Sequence, residues 1–202
     1  MNFVRFENEK IYPSKIVCVG RNYVEHIKEL GNEMPENMVI FNKPNSAVSD
    51  KLFYFNESVR FEGEICFLIK SGKIDGVGFG FDLTDAKIQN YLKSKGLPWE
   101  RAKAFDNSAV FGRFVRFEGD LEKIEMKLFK NGEKVQHAKY ELMIYKPEEI
   151  LKEISSFMSL EDGDIIMSGT PKGVGNYEKG DEFEGVILAD GREVVKDSFS
   201  VL

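Results

Sequence analysis

The sequence predicts a strand-dominated α+β fold, and three observations support this. Short apolar runs come in hairpin or meander blocks, and only two segments have the length and periodicity of substantial helices. The regular alternation of strand and helix that builds a doubly wound parallel sheet is missing. The chain also contains 17 phenylalanines, a residue that favours strand-rich cores. Strands in blocks with few helices are typical of the α+β class.

Size and composition limit the domain organisation and the classes of partner. A chain of 202 residues suits a single domain, 1–202, with residues 1–14 as a short lead-in. The net charge of −6 argues against nucleic acid and anionic membrane surfaces as partners. No apolar run approaches the ~20 residues that a membrane helix needs. The N-terminus lacks a signal-peptide pattern, so we expect a cytoplasmic protein.

The first half of the chain reads as strands interrupted by one short helix. We predict strands over 15–19, 38–41, 51–55 and 62–69, and a helix over 21–31 that Gly31 closes at its C-terminal cap. Residues 32–36 are polar and read as a loop. Cys18 and Cys66 both lie inside apolar runs, which favours buried free thiols.

The second half contains two hairpins and the longer helices. A strand over 76–81 precedes a helix over 84–95, with Thr84 as its N-cap and Gly96 beyond its end. Asn131-Gly132 joins two alternating runs and is a strong hairpin signal. A second helix covers 147–158, with Ile150, Leu151, Ile154 and Phe157 on its apolar face. A strand over 164–167 and a strand pair over 181–199 complete the prediction.

Two glutamates in the 62–69 strand are the first candidate site residues. Glu62 and Glu64 are two apart and therefore point to one face of a strand. Like charges this close resist full ionisation unless a cation lies between them. Mg²⁺ and Ca²⁺ prefer oxygen ligands, and Asp82 at the end of the next strand is the candidate third donor. On the pair alone, a solvated strand face is the more common arrangement.

The predicted short helix carries a candidate general base. His26 and Glu29 are three residues apart and share a helix face. A carboxylate in that position can orient an imidazole and raise its basicity. An incidental pair on a solvated face is the alternative, and the scarcity of histidine, two in the chain, argues against it.

A glycine-rich segment, 169–175, follows the strand at 164–167. It lacks the Gly-Lys-Ser/Thr ending and the following helix of a nucleotide-binding loop. Its backbone N–H groups, with the Thr170 hydroxyl, form a candidate site for a small carboxylate. A turn that only connects strands is the simpler interpretation of this segment by itself.

Taken together, these pieces resemble the fumarylacetoacetate hydrolase family, and most closely its short acylpyruvate hydrolase and oxaloacetate decarboxylase branch. The resemblance follows the family's order from Lys15 onward. It rests on Val19-Gly20-Arg21-Asn22-Tyr23 with His26 and Glu29, Phe41-Asn42-Lys43-Pro44, Glu62-Gly63-Glu64, Asp82-Leu83-Thr84 with Gln89, Pro98-Trp99 with Ala102-Lys103-Ala104-Phe105, Asn131-Gly132-Glu133 with Gln136, and Gly163-Asp164 with Ser168 to Gly175.

The resemblance implies a mixed β-sandwich or β-roll fold and a homodimer. It implies Mg²⁺ or Mn²⁺ held by Glu62, Glu64 and Asp82, and a lid over 21–36 that places His26 and Glu29 above the metal. Lys103 is then expected to stabilise an enolate oxygen. Gln89 and Thr170 are expected to bind substrate.

One position departs from the family's pattern. The helix after the metal aspartate typically reads Thr-Ala-Arg-Asp, whereas this chain has Thr84-Asp85-Ala86-Lys87. The arginine that the resemblance implies for a substrate carboxylate is therefore Ala86. Either another cation takes its place, with Arg21, Lys87 and Arg101 as candidates, or the substrate differs, or the activity is weaker or absent.

The predicted reaction is metal-dependent cleavage of a C–C bond in a small 2-oxo acid through a metal-stabilised pyruvate enolate. Acylpyruvate hydrolysis would use His26 as the base for water, whereas oxaloacetate decarboxylation needs no water nucleophile. The alternatives are a dehydratase or isomerase of a 2-keto-3-deoxy sugar acid or hydroxymuconate-type diacid, and a non-catalytic protein that binds metal and a 2-oxo acid.

Overall fold

The order of elements confirms the predicted dominance of strands. The computed structural model describes residues 1–29, 31 and 36–202. The first half contains β1 Val4–Phe6, β2 Glu9–Ile11, β3 Lys15–Gly20, α1 Val24–Glu29, β4 Val39–Pro44, β5 Val48–Ser49, β6 Val59–Phe61, β7 Gly63–Lys70, β8 Lys73–Asp82, β9 Thr84–Asp85 and α2 Ala86–Ser94. The second half contains α3 Glu100–Lys103, β10 Ala109–Phe111, β11 Val115–Arg116, β12 Ile124–Lys130, β13 Glu133–Lys139, α4 Pro147–Phe157, β14 Ile165–Met167, β15 Gly175–Asn176, β16 Glu182–Ala189 and β17 Arg192–Ser200.

An eight-stranded mixed sheet carries the acidic residues. Its strands follow the order β4-β3-β14-β7-β8-β10-β5, and β11 also pairs with β8. The β3–β14 and β10–β5 pairs are parallel, while β7 and β8 are antiparallel neighbours. Glu64 of β7 lies opposite Gly80 of β8, so the end of β8 that holds Asp82 lies beside the start of β7. The topology thereby brings the two acidic segments together.

A four-stranded antiparallel sheet, β13-β12-β16-β17, contains both predicted hairpins. Asn131 and Gly132 have positive φ angles of 51° and 83°, as the tight turn between β12 and β13 requires. Asp190 and Gly191 do the same between β16 and β17, with φ of 51° and 72°. The Asn-Gly and Asp-Gly turns therefore set the pairing of β12 with β13 and of β16 with β17.

Phenylalanines fill the space between the two sheets. Phe79 and Phe81 of β8 have ring centroids 4.8 Å apart in an edge-to-face arrangement. Phe81 also contacts Phe183 at 5.3 Å and Phe199 at 5.2 Å, from the four-stranded sheet. Each such pair adds about 0.5–1.5 kcal/mol beyond area burial. The core therefore holds the strand that ends at Asp82.

Several predicted boundaries shift in the structure. Asp85, not Thr84, caps α2, because its side chain accepts from the backbone N–H of Ile88 at 3.0 Å. The predicted strand at 51–55 is replaced by β5 at Val48–Ser49 and a single bridge between Leu52 and Val201. Phe157, expected on the apolar face of α4, is 59% exposed because it is the last residue of the helix.

The predicted helix at 21–31 begins later than expected. Arg21 has a positive φ of 58° and Tyr23 forms a bridge with Met143, so α1 starts at Val24. Residues 30 and 32–35 of the predicted lid lie outside the described residues. Within the described part of the chain, no helix is long and apolar enough to cross a membrane.

Candidate active site

Three carboxylates meet where β7 begins and β8 ends. Each of Glu62, Glu64 and Asp82 offers an oxygen atom, and these atoms lie within 4.8 Å of one another. Glu64 and Asp82 are each 1% exposed, and Glu62 is 9% exposed. The backbone N–H of Asp82 donates to the carbonyl of Glu62 at 2.9 Å, which fixes the two strand ends together. The structure thus assembles the predicted acidic trio in a buried position.

Lys103 lies against this trio, while its predicted role at an enolate oxygen stays a prediction. Its Nζ donates to Glu62 Oε2 at 2.9 Å, to Asp82 Oδ2 at 2.7 Å and to Thr84 Oγ1 at 2.5 Å. The Thr84 hydroxyl in turn donates to Glu62 Oε1 at 2.7 Å. Burial alone would lower the pKa of Lys103, but Asp82 and Glu62 outweigh burial and raise it above the usual lysine value. Lys103 is therefore a fixed cation.

A second buried lysine, for which sequence reasoning assigned no role, reaches the other oxygen of Asp82. Lys43 Nζ lies 2.8 Å from Asp82 Oδ1, and its side chain is fully enclosed. It also donates to the carbonyl of Leu83 at 3.2 Å, to the carbonyl of Ser108 at 3.0 Å and to the carbonyl of Lys103. Burial by itself would raise the pKa of Asp82, but Lys103 and Lys43 together lower it. The only sequence signal was a lysine directly before a proline, in a strand whose other residues are half-buried or exposed.

Glu64 is held differently from its neighbours. The backbone N–H of Gly169 donates to Glu64 Oε2 at 2.8 Å. Burial, followed by repulsion from Asp82 and Glu62, raises the pKa of Glu64 well above the ordinary value of 4.5. A positive charge between the three carboxylates would stabilise ionised Glu64 and so offset both its burial and its repulsion from Asp82 and Glu62.

The donor set fits a hard divalent cation. Three carboxylates against two lysines leave one excess negative charge when all five groups are ionised. Asp82 Oδ1 is buried and lies 2.8 Å from the Lys43 ammonium, so each oxygen of Asp82 faces a lysine. All-oxygen carboxylate donors are the ligands that Mg²⁺ and Mn²⁺ prefer. The chemistry of the residues therefore agrees with the predicted metal.

The glycine between the two glutamates has a packing reason. A Cβ on Gly63 would lie 2.9 Å from Gln136 Oε1 and 2.9 Å from Leu128 Cδ2. Gln136 Oε1 accepts from the backbone N–H of Gly63 at 2.9 Å, and its Nε2 donates to Thr170 Oγ1 at 2.8 Å. Only glycine allows β7 to approach the four-stranded sheet this closely. Gln136 thereby joins the acidic strand to the glycine-rich loop.

The glycine-rich loop binds carboxylates, but they belong to the protein itself. Gly169 donates to Glu64, and the backbone N–H of Gly173 donates to both oxygens of Glu29 at 3.0 and 3.1 Å. The Thr170 hydroxyl donates to the carbonyl of Gly63 at 2.9 Å. The Thr170 hydroxyl is thus hydrogen-bonded to Gly63 of β7 and Gln136 of β13, and its role in substrate binding stays a prediction.

The predicted histidine–glutamate pair forms on α1. His26 Nδ1 lies 3.3 Å from Glu29 Oε2, and His26 is 7% exposed. A carboxylate at Nδ1 favours the proton on that nitrogen and leaves Nε2 as the basic atom. Because Gly173 and Gly169 share one loop, the loop that positions Glu29 also positions Glu64. Glu64 and the His26–Glu29 pair are therefore connected through one loop.

The predicted substrate-binding roles of Gln89 and Arg21 stay predictions. Gln89 is half-buried on α2, and Arg21 is half-buried directly after β3. Next to Arg21, the fully buried Asn22 donates to the carbonyl of Ser168 at 2.8 Å and accepts from the backbone N–H of Tyr145 at 2.7 Å. Sequence reasoning gave Asn22 no separate role. It anchors the segment that leads into α1.

Comparisons with known proteins agree with this architecture. Residues 15–197 match the family described as fumarylacetoacetate (FAA) hydrolase C-terminal. The chain is 39% identical over 203 residues to oxaloacetate tautomerase YcgM of Escherichia coli, covering 91% of this chain and 92% of that protein. It is 33% identical over 209 residues to the mitochondrial oxaloacetate tautomerase oaa1 of Schizosaccharomyces pombe, covering 93% and 95%.

A solved structure extends the likeness to the whole fold. The crystal structure of fumarylpyruvate hydrolase from Pseudomonas aeruginosa in complex with Mn²⁺ and pyruvate has a TM-score of 0.89 and 27% identity, and covers 100% of this chain and 95% of that one. The family match, the relatives and the shared fold lead to one conclusion: the chain belongs to the fumarylacetoacetate hydrolase family.

Proposed function

We propose that this protein is a divalent-metal-dependent enzyme that interconverts the enol and keto forms of oxaloacetate or a closely related 2-oxo acid. The observation that carries the proposal is the buried trio Glu62, Glu64 and Asp82 with Lys103 against it, a site suited to an enolate. Two relatives of more than 30% identity over at least nine-tenths of the chain are named oxaloacetate tautomerases. Tautomerisation was not among the reactions predicted from sequence, but it shares their enolate.

Glu62, Glu64 and Asp82 would hold the metal, Mg²⁺ or Mn²⁺. When bound, such a cation supplies Lewis-acid polarisation of a carbonyl oxygen and a fixed point of attachment for a 2-oxo acid. The Mn²⁺ in the fumarylpyruvate hydrolase structure supports this choice. The raised pKa of Glu64, which a cation between the carboxylates would lower, supports it independently.

The protein's own groups then divide the proton transfer. In the keto-to-enol direction His26 Nε2 would take the proton from the carbon next to the 2-oxo group and deliver it to the enolate oxygen, and the enol-to-keto direction is the reverse, while Glu29 keeps the other proton on Nδ1. Lys103, as a fixed cation, stabilises negative charge that develops on the oxygen. In this proposal α1, whose Glu29 accepts hydrogen bonds from Gly173 of the glycine-rich loop, would act as the lid that limits the access of water.

The C–C bond cleavage predicted from sequence is the second candidate. The likeness to a hydrolase crystallised with Mn²⁺ and pyruvate favours it, because pyruvate is the product of acylpyruvate hydrolysis and of oxaloacetate decarboxylation. The same enolate would form, and His26 would activate water in the hydrolytic reaction.

Homodimer formation and a cytoplasmic location also remain proposals.

One experiment separates these reactions. Purified protein is mixed with enol oxaloacetate, keto oxaloacetate and acetylpyruvate, each with Mn²⁺ and each with excess chelator. Decay of the enol's ultraviolet absorbance without pyruvate release supports the tautomerase, whereas metal-dependent pyruvate release supports cleavage. Absence of both, with retained Mn²⁺-dependent oxalate binding, would favour the non-catalytic alternative.

A further inference from the structure

The main chain at Lys103 has little local support. The helix α3 is a single turn, and Lys103 is its last residue. The backbone N–H groups of Ala102 and Lys103 both donate to the carbonyl of Trp99, at 2.8 and 3.0 Å. A single helical turn is not stable by itself, and the last carbonyl groups of a helix have no partner within it. The position of the Lys103 side chain therefore depends on the groups that bind its carbonyl.

Two buried side chains bind that carbonyl. Lys43 Nζ donates to it, and the Ser108 hydroxyl donates to it at 2.8 Å. Lys43 Nζ also donates to the Ser108 hydroxyl at 3.1 Å. Lys43 and Ser108 are both completely buried. The ammonium, the hydroxyl and the carbonyl thus form a closed set of three hydrogen bonds at the end of α3.

The same ammonium reaches the carboxylate that Lys103 binds. Lys43 Nζ lies 2.8 Å from Asp82 Oδ1, and Lys103 Nζ donates to Asp82 Oδ2 at 2.7 Å. The backbone N–H of Leu83 donates to the carbonyl of Ser108 at 2.9 Å, which joins the end of β8 to the start of β10. Lys43 therefore contacts both the main chain of Lys103 and the carboxylate to which the Lys103 side chain is hydrogen-bonded.

Stability alone does not explain a lysine at position 43. Burying an ammonium is costly, and an apolar cluster of similar volume is often as stable as a buried ion pair. Lys43 comes from β4, at the edge of the eight-stranded sheet, where its backbone pairs with Ile16. A charged group that reaches from this edge to β8, α3 and the start of β10 fixes three elements relative to one another, which apolar packing does less specifically.

We infer that Lys43 and Ser108 are positioning residues, which hold the main chain of Lys103 and thereby set the place of its ammonium beside Glu62 and Asp82. The inference rests on the proposed function in one respect, because its consequence for the reaction assumes that Lys103 stabilises an enolate oxygen. A displacement of about 1 Å at such a group lowers a rate substantially.

Amide exchange tests the position of the main chain without metal or substrate. Ser108→Ala is the primary variant, because it removes one donor to the Lys103 carbonyl and keeps the Lys43–Asp82 pair. In peptides that cover 100–105, exchange measured by mass spectrometry should become about fivefold faster, the effect of one neutral hydrogen bond. Lys43→Met should have a larger effect. In Ser108→Ala, exchange in α4 serves as the internal reference and should not change.

Ser14→Ala is the control for a lost hydroxyl. Its hydroxyl donates to Asp164 at 2.7 Å, directly before β14 and at the opposite end of that strand from the glycine-rich loop. Exchange in 100–105 should stay within about twofold of the wild type in this variant, because sites this far apart are usually independent.

A double-mutant cycle shows whether Ser108 acts through Lys103. Oxalate, an analogue of the enolate of a 2-oxo acid, is titrated into the Mn²⁺-loaded protein by calorimetry. Ser108→Ala should weaken oxalate binding by about threefold or more, but by less than about 1.5-fold when Lys103→Gln is already present. A purely structural role would give the same ratio in both backgrounds.

The kinetic constants provide the third measurement. For conversion of enol oxaloacetate, kcat per titrated Mn²⁺ site should fall by about fivefold or more in Ser108→Ala, while KM stays within about twofold. This split is expected because Lys103 acts on charge that develops in the transition state.

Three results would overturn the inference: unchanged exchange in 100–105, equal weakening of oxalate with and without Lys103, or a rise in KM with kcat unchanged. A different result would contradict only the proposed function. Faster exchange in both variants, in a protein that neither binds oxalate with Mn²⁺ nor acts on oxaloacetate, would leave the positioning of Lys103 supported.

Discussion

Lys43 and Asp82 form an ion pair of 2.8 Å with both side chains almost completely removed from solvent. Because Lys103 occupies the opposite oxygen of Asp82, the two lysines fix the orientation of this carboxylate. Lys43→Met should therefore reduce the free energy of unfolding by about 3–5 kcal/mol, the usual effect of removing one partner of a buried pair.

Chemical denaturation measures this effect, with Lys73→Met as the control at the exposed start of β8. The control should change stability by less than about 0.5 kcal/mol. A loss below about 1 kcal/mol in Lys43→Met would show that the pair does not constrain Asp82.

The metal assignment predicts a specific defect for Glu64→Gln. Its affinity for Mn²⁺, measured by calorimetry, should fall by more than about tenfold, because one anionic ligand is lost. The fold should survive. Burial and the neighbouring carboxylates raise the pKa of Glu64 in the folded state. Above pH 4.5 the unfolded chain ionises more readily than the folded protein, so this residue reduces the free energy of unfolding. A neutral amide at this position removes that reduction at pH 7. Glu57→Gln, at an exposed position, is the control. Unchanged Mn²⁺ binding in Glu64→Gln would refute the ligand assignment.

The role of His26 is tested by comparing reactions. His26→Ala should lower acylpyruvate hydrolysis and enol–keto conversion by about 10²–10⁴-fold, since both need a base, while oxaloacetate decarboxylation stays closer to normal. Glu29→Ala should act in the same direction but less severely, because Glu29 orients the base at 3.3 Å. The ratio of the activities is the quantity to measure. An equal loss in all reactions would make His26 a general positioning group.

Ligand binding should slow amide exchange in the lid segment 26–31. Within the described residues, Glu29 is held by the N–H of Gly173 and α1 is only Val24–Glu29, so few hydrogen bonds oppose its opening. Exchange is measured by mass spectrometry with and without oxalate and Mg²⁺, with α4 as the internal reference. Exchange that is equally slow in both conditions would argue against a lid.

Asp164 should make the protein sensitive to acid. The carboxylate accepts hydrogen bonds from the Ser14 hydroxyl at 2.7 Å and the backbone N–H of Glu161 at 2.8 Å, and pairs with Lys15. Burial would raise its pKa, but Lys15 and Ser14 outweigh burial and lower it below the ordinary value of 3.8. A depressed pKa gives stability that is present above pH 3.8 and is lost as the pH falls through the folded-state pKa.

Asp164→Asn should reduce the free energy of unfolding at pH 7 by about 2–3 kcal/mol, typical of hydrogen bonds to a charged group. The difference between wild type and variant should shrink in denaturation curves at pH 3. A difference that is constant between pH 7 and pH 3 would contradict the role of the charge.

The sequence predicted the parts of the fold and site that depend on local spacing. The turn at 131–132 follows from the tolerance of Asn-Gly for positive φ angles. The convergence of Glu62 and Glu64 was expected from their spacing of two residues. Lys43 was missed because its partners lie at Leu83, Lys103 and Ser108, distant along the chain. Contacts between residues this far apart along the chain depend on how the strands are ordered in the sheet, which local spacing does not show.

Thr84 illustrates why a local rule can fail. Threonine before a helical run is a good N-cap by propensity. Here its hydroxyl instead joins Glu62 to Lys103, and the next residue, Asp85, takes the cap. The hydrogen bonds of Thr84 to the buried charges therefore take precedence over N-capping, which the adjacent Asp85 provides instead.

Gln136 gives the site a dependence on a distant part of the molecule. One amide group satisfies the backbone of Gly63 in the acidic strand and the hydroxyl of Thr170 in the glycine-rich loop, while its own strand belongs to the four-stranded sheet. The arrangement of the charges therefore depends on the folding of both sheets together and not on the glycine-rich loop alone. In denaturant, loss of metal affinity and loss of the β-sheet signal should coincide, because the same amide belongs to both.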